Sequence, residues 1–180
     1  MKLWTKAVLM LFGVVLVAGR VASLFAEDAR MDAPYTGSAQ FEKMKKLVGV
    51  WEGTSKMEKG EEKVRVEYQI SSGGSSLVEK LFPGTPHEMV SIYYDQGGKL
   101  CMTHYCMLHN RPQMELKKAG DNQLKFELAR GSGIKPKETH MHSLNIIFQD
   151  EDHITQNWTL FVDGKEKNVK TLVFSRVRQP

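Results

Sequence analysis

From Val50 to the C-terminus the chain repeats one pattern, in which apolar and polar side chains alternate along short segments separated by turn residues. Val64, Val66, Tyr68 and Ile70 alternate with Lys63, Arg65, Glu67 and Gln69, and Leu124, Phe126 and Leu128 with Lys125 and Glu127. A period of two is the period of a strand, and it gives each segment one dry and one wet face. A helix would need apolar residues three and four apart. The pattern predicts ten strands, approximately 50–58, 62–72, 75–82, 87–95, 99–108, 112–119, 123–130, 139–149, 153–162 and 167–178. Several connections are short and rich in turn formers: Glu58-Lys59-Gly60, Pro83-Gly84-Thr85-Pro86, Gln96-Gly97-Gly98, Gly120-Asp121-Asn122 and Asp163-Gly164-Lys165. Links of this length join antiparallel neighbours. Ten such strands with one wet face have edges to protect, and closing the sheet removes them. The expected fold is therefore all-β, a ten-stranded antiparallel up-and-down barrel. Gly131 to Lys137 reads as its one longer loop, a flap at a barrel mouth.

Ahead of the strands, Ser38 is placed to cap a short N-terminal helix whose Phe41, Met44 and Val48 share a face, with Gly49 as its stop. Such a helix would close one end of the barrel. Residues 27–37 are polar and contain Pro and Gly, as a linker does, so the barrel domain is expected over 38–180. Residues 1–26 read as a signal peptide. Lys2 and Lys6 precede the apolar run Ala7 to Ala18, and Val21-Ala22-Ser23 or Leu24-Phe25-Ala26 supplies a small residue for cleavage. The run before Arg20 falls short of the roughly 20 residues that span a bilayer, so no stable membrane anchor is expected after cleavage. The mature protein should be periplasmic or extracellular.

The net charge of +4 hints at nucleic acid until its location is considered. Lys2, Lys6 and Arg20 lie in the leader, and the other 154 residues hold 22 basic and 21 acidic groups. A nucleic-acid-binding function is disfavoured. Cys101 and Cys106 fall on one predicted strand, too far apart to bridge, so both thiols should be free.

Polar residues on dry faces mark the candidate site, because an inward polar group needs a partner or a ligand. Strand parity sets His104 and Cys106 with Leu100, Met102 and Leu108, and His140 and His142 with Leu144, Ile146 and Phe148. Glu79 lies between Leu77 and Leu81, and Trp158 shares parity with Ile154, Gln156 and Leu160. These residues would form a polar subsite in the lumen. Imidazoles and a thiol also suit zinc, with His104, Cys106, His140 and His142 as ligands and Glu79 beside them. Cys106 beside an imidazole also raises a thiol nucleophile, although no oxyanion hole or orienting helix N-terminus accompanies it. A hydrogen-bonded polar pocket accounts for the same residues with fewer requirements than either.

The run Leu47-Val48-Gly49-Val50-Trp51-Glu52-Gly53, placed after a short helix and opening the first strand, resembles the Gly-x-Trp signature of the calycin superfamily. That superfamily includes lipocalins, fatty-acid-binding proteins and nitrobindin-like barrels. The resemblance implies that Trp51 closes the barrel base under an Arg from the last strand, Arg176 or Arg178. Likeness to the nitrobindin-like members adds haem, held by an axial His, as a cofactor alternative to zinc. Leu81 to Met89 and Thr103-His104-Tyr105-Cys106 are also similar to a family of exported bacterial proteins of unassigned function. The tight turn near Gly60 leaves no room for the two-helix portal of fatty-acid-binding proteins, and the lipocalin disulfide pair is missing. The reading that emerges is an exported protein that binds a small, mostly apolar ligand in its lumen, oriented by His104, Cys106, His140, His142, Glu79 and Trp158. The alternative is a metal- or haem-binding barrel, with an enzyme built on the His/Cys cluster as one form of it.

Overall fold

The computed structural model describes residues 35–57 and 60–178. The expected signal peptide, and the linker as far as residue 34, lie outside these residues. Helix α1 (Ala39–Lys45) leads into strands β1 (Gly49–Met57), β2 (Gly60–Ser71), β3 (Ser76–Leu81), β4 (Met89–Gln96) and β5 (Lys99–Tyr105). Strands β6 (Gln113–Gly120), β7 (Gln123–Leu128), β8 (His140–Phe148), β9 (His153–Val162) and β10 (Lys165–Arg176) complete the chain. Each strand pairs antiparallel with its neighbours in sequence, and β1 pairs with β10, so the sheet closes into a ten-stranded barrel. No ladder edge is left open at this seam.

The seam depends on a glycine. Gly53 on β1 faces Phe174 on β10, and a Cβ added there would lie 1.7 Å from the Val173 carbonyl oxygen. Only a residue without a side chain lets the two backbones come that close.

Helix α1 closes one end. Ser38 caps it, its Oγ accepting from the Phe41 amide at 3.1 Å while donating to Asp95 at 2.8 Å, which ties the cap to the end of β4. Phe41 and Met44 are buried as expected, but the third apolar contact is Leu47 and not Val48, which is exposed. The helix ends at Lys45, before Gly49, and the tighter turn that follows rotates Val48 outward.

At this end the Trp51 indole donates to the Leu47 carbonyl at 2.8 Å, and the Arg176 guanidinium lies 4.1 Å from the Trp51 ring. Arg176 also donates to the Val48 and Lys46 carbonyls at 2.8 and 2.7 Å, satisfying groups left over where the helix stops. Of the two candidates, Arg176 takes this place, while Arg178 pairs with Asp152. Above the closure Phe126, Leu144, Ile146, Ile154 and Phe174 fill a dry core. Among the described residues no helix is long and apolar enough to cross a membrane.

Candidate functional site

One rung of the barrel is polar. Tyr68, Glu79, Ser91 and His104 are register partners on β2, β3, β4 and β5, and all four are buried. Strand alternation points them into the lumen together, flanked along each strand by residues such as Val66, Leu77, Tyr93 and Met102. Gln156 and Trp158 reach the same level from β9 across the lumen.

Glu79 is the centre of this rung. Its Oε1 accepts from Ser91 Oγ at 3.1 Å, and its Oε2 accepts from Tyr93 Oη at 3.0 Å and Gln156 Nε2 at 2.9 Å. The Tyr68 hydroxyl also bonds to Glu79 while accepting from Gln156 Nε2 at 2.6 Å. Among the described residues no cation pairs with this carboxylate: hydroxyls and an amide hold it in place. Burial raises its pKa from the usual carboxylate value, against the opposing effect of its four hydrogen-bond partners. The two tyrosines beside it are pushed well up, first by burial and then by the charge of Glu79.

His104 connects the rung to open space. Its Nδ1 lies 3.0 Å from Ser91 Oγ, and its ring sits 4.6 Å from the Trp158 ring, whose Nε1 donates to Gln156 Oε1 at 2.9 Å. Burial lowers its pKa to about 4, so the imidazole is neutral near pH 7. His104 and Trp158 form the floor of a cavity of about 230 Å³. Its walls are apolar and include Leu81, Phe82, Met89, Met141, Leu160 and Leu172. Ser55 and Lys170 add polar groups, and the loop after β5 contributes Cys106, Met107 and Leu108. Asn110 anchors that loop to the one between β7 and β8, donating to Glu138 Oε1 and the Thr139 carbonyl at 2.9 and 2.8 Å.

The structure brings together only part of the expected constellation. Glu79, His104 and Trp158 meet in the lumen, and Cys106 lines the cavity. Cys106 nevertheless lies beyond the end of β5, in a turn closed by a bond from its amide to the Asn110 carbonyl, not within a strand reaching to residue 108. Its thiol is 4.0 Å from Met89 Sδ, and burial pushes its pKa up, away from thiolate character. Both cysteines are free.

His140 and His142 lie elsewhere. A bulge between Met141 and Ser143 shifts the β8 register, so the inward row runs Ile146, Leu144 and then Met141. His140 Nε2 is 3.0 Å from His142 Nδ1, and the His142 ring stacks on Phe161 at 3.8 Å, close enough to Glu127 and Lys125 to feel their charges. The two imidazoles therefore form a separate pair off the lumen, His140 buried and His142 half-buried against Phe161 of β9.

These positions do not suit the expected zinc set. Among the described residues no group of three or more His, Cys, Asp or Glu side chains is arranged to hold a metal ion. Nor does a haem fit beside His104, because the space there is smaller than the roughly 300–1,000 Å³ of drug-sized ligand sites.

Ser91, Tyr93, Tyr68 and Gln156 are the site residues not singled out by the sequence reading. Tyr68 and Gln156 carried a signal, as polar groups on apolar parity. Ser91 and Tyr93 carried none, since Val90 and Ile92 make the opposite face of β4 the more apolar one.

The fold and site define a closed ten-stranded antiparallel barrel, plugged by a helix at one end, with a small apolar cavity over a buried polar rung toward the other. No family model matches the chain, and no curated protein does. Among solved structures it is similar to Rv2717c from M. tuberculosis, with a TM-score of 0.53 and 13% identity over 79% of this chain and 100% of that one. It is also similar to a protein of unknown function from the DUF3598 family of Nostoc punctiforme, with a TM-score of 0.52, 13% identity and 74% of this chain covered. The match spans about half the length of the Nostoc protein, 49%. At this identity the likeness is one of fold.

Proposed function

We propose that this chain is an exported, calycin-like binding protein that holds a small, mostly apolar molecule in the cavity above His104 and Trp158. The observation that carries this reading is the cavity itself: apolar walls over a floor with one imidazole, whose Nδ1 is taken up by Ser91. Binding would come from burial of apolar surface, worth about 25 cal/mol per Å², with the imidazole orienting the occupant. The volume suits a ligand below ordinary drug size. Export rests on the leader-like composition of residues 1–26, and calycin membership on Gly49-x-Trp51 together with the Arg176 contact. The near balance of charge beyond the leader supports a small-molecule partner over nucleic acid.

Calorimetric titration of the purified protein with 1-phenylethanol tests the reading. Saturable binding is expected, and Leu160→Trp, which fills the cavity from β9, should abolish it while the far-ultraviolet spectrum stays that of the wild type. Undiminished binding by the filled variant would place the ligand elsewhere.

A further inference from the structure

The buried rung is a directed hydrogen-bond chain, and its direction determines what the cavity can recognise. Trp158 Nε1 is a donor only, so its bond to Gln156 Oε1 orients the amide with Nε2 toward Tyr68 and Glu79. Tyr68, having accepted from Gln156, donates its hydroxyl hydrogen bond to Glu79, and Tyr93 also donates to Glu79. Every neighbour on that side of the carboxylate is a donor. Ser91 then completes a shell that suits an ionised carboxylate, which accepts about four bonds. A hydroxyl has one proton. If Ser91 gives it to Glu79, its contact with His104 Nδ1 has to be one in which Ser91 accepts and the ring donates. A neutral imidazole carries one N–H, so Nε2 keeps its lone pair, and no hydrogen bond joins it to any described residue.

From this we infer that the cavity selects neutral apolar molecules bearing a hydrogen-bond donor, a hydroxyl above all, because Glu79 acting through Ser91 holds His104 in the Nδ1–H form with Nε2 as an acceptor at the floor. Glu79 is a positioning residue here, buried away from the cavity lining. The inference rests on the binding reading above and names its ligand class. An acceptor-only molecule of the same shape would set two lone pairs against each other, and a carboxylate would have to rely on Lys170, the charged residue among those that line the cavity. The low pKa of His104 supports this, since a protonated ring would present donors on both sides.

Reversing the chain is chemically simple. In Glu79→Gln the single amide oxygen is needed by Tyr68, Tyr93 and Gln156, which turns the new NH₂ toward Ser91. Ser91 would then donate to Nδ1, and His104 would carry its proton on Nε2.

The test has two independent parts. Nitrogen-15 NMR of the His104 ring in the ligand-free protein reads the tautomer directly: Nδ1–H is expected, and Nε2–H would overturn the inference whether or not anything binds. Binding of 1-phenylethanol, acetophenone and benzoate to the wild type is then compared. The alcohol should bind about tenfold or more tightly than the ketone, the range expected for an unpaired buried polar group, and Glu79→Gln should narrow or invert that ratio. Equal affinity for alcohol and ketone, or benzoate binding best, would overturn the inference while leaving a binding cavity in place. If none of the three binds, the cavity reading itself fails, and with it the ligand class inferred here.

Discussion

His104 shows how one residue links stability to pH. Its pKa is near 4 in the barrel against an ordinary value of 6.5, so between these limits the unfolded chain binds the extra proton. The neutral ring's contribution is complete above about pH 6.5, is lost progressively as pH falls, and is gone below about 4. The loss amounts to roughly 3 kcal/mol at one pKa unit per 1.36 kcal/mol. Glu79 acts in the opposite sense: its raised pKa makes burial costlier once the carboxyl ionises. Urea denaturation at pH 7 and at pH 5 should therefore show a smaller pH-dependent drop in His104→Gln than in the wild type. Parallel curves would mean that the ring is not held neutral. At the same scale, Tyr93→Phe deletes one donor to Glu79 Oε2 and should cost about 1–3 kcal/mol. A variant as stable as the wild type would show that the carboxylate does not need this bond.

At the scale of elements, the seam and the bulge matter most. Gly53→Ala places a methyl group on the Val173 carbonyl, so β1 and β10 must separate there. Amide protons at this seam are expected to exchange much faster in that variant, whereas those of β6 and β7 stay protected. Uniform protection would show that the backbone gives way without opening. The elements also show what a sequence discloses and what it conceals. The alternation of Val64 to Ile70 and of Leu124 to Leu128 made strands, inward faces and hairpin order legible, and nine of the ten observed strands lie within two residues of the expected limits at both ends. The fifth also starts where expected and stops at Tyr105, because the chain turns at Cys106. Two facts about inward direction were not legible. In β8 the bulge at His142 reverses parity, moving both histidines away from the lumen and Met141 into it. In β4 Ser91 and Tyr93 face inward while Val90 and Ile92 face outward, which follows from register with Glu79 and His104 and not from hydropathy. Bulges and register are properties of pairs of strands, so a single strand's pattern does not contain them.

The molecule as a whole separates two tasks along the barrel axis. The α1 end, with Trp51, Arg176 and the aromatic core, maintains closure. Toward the other end the polar rung sets the depth to which packing extends, with a cavity above it. The methionines sample both regions, since Met89 and Met141 line the cavity whereas Met44 and Met114 are buried in the core. Their methyl resonances therefore give the most direct measurement, recorded with carbon-13-labelled methionine as 1-phenylethanol is added. The account predicts saturable shifts of the Met89 and Met141 methyls, with Met44 and Met114 unmoved. Shifts confined to Met44, or equal small drifts of all the methyls, would contradict it.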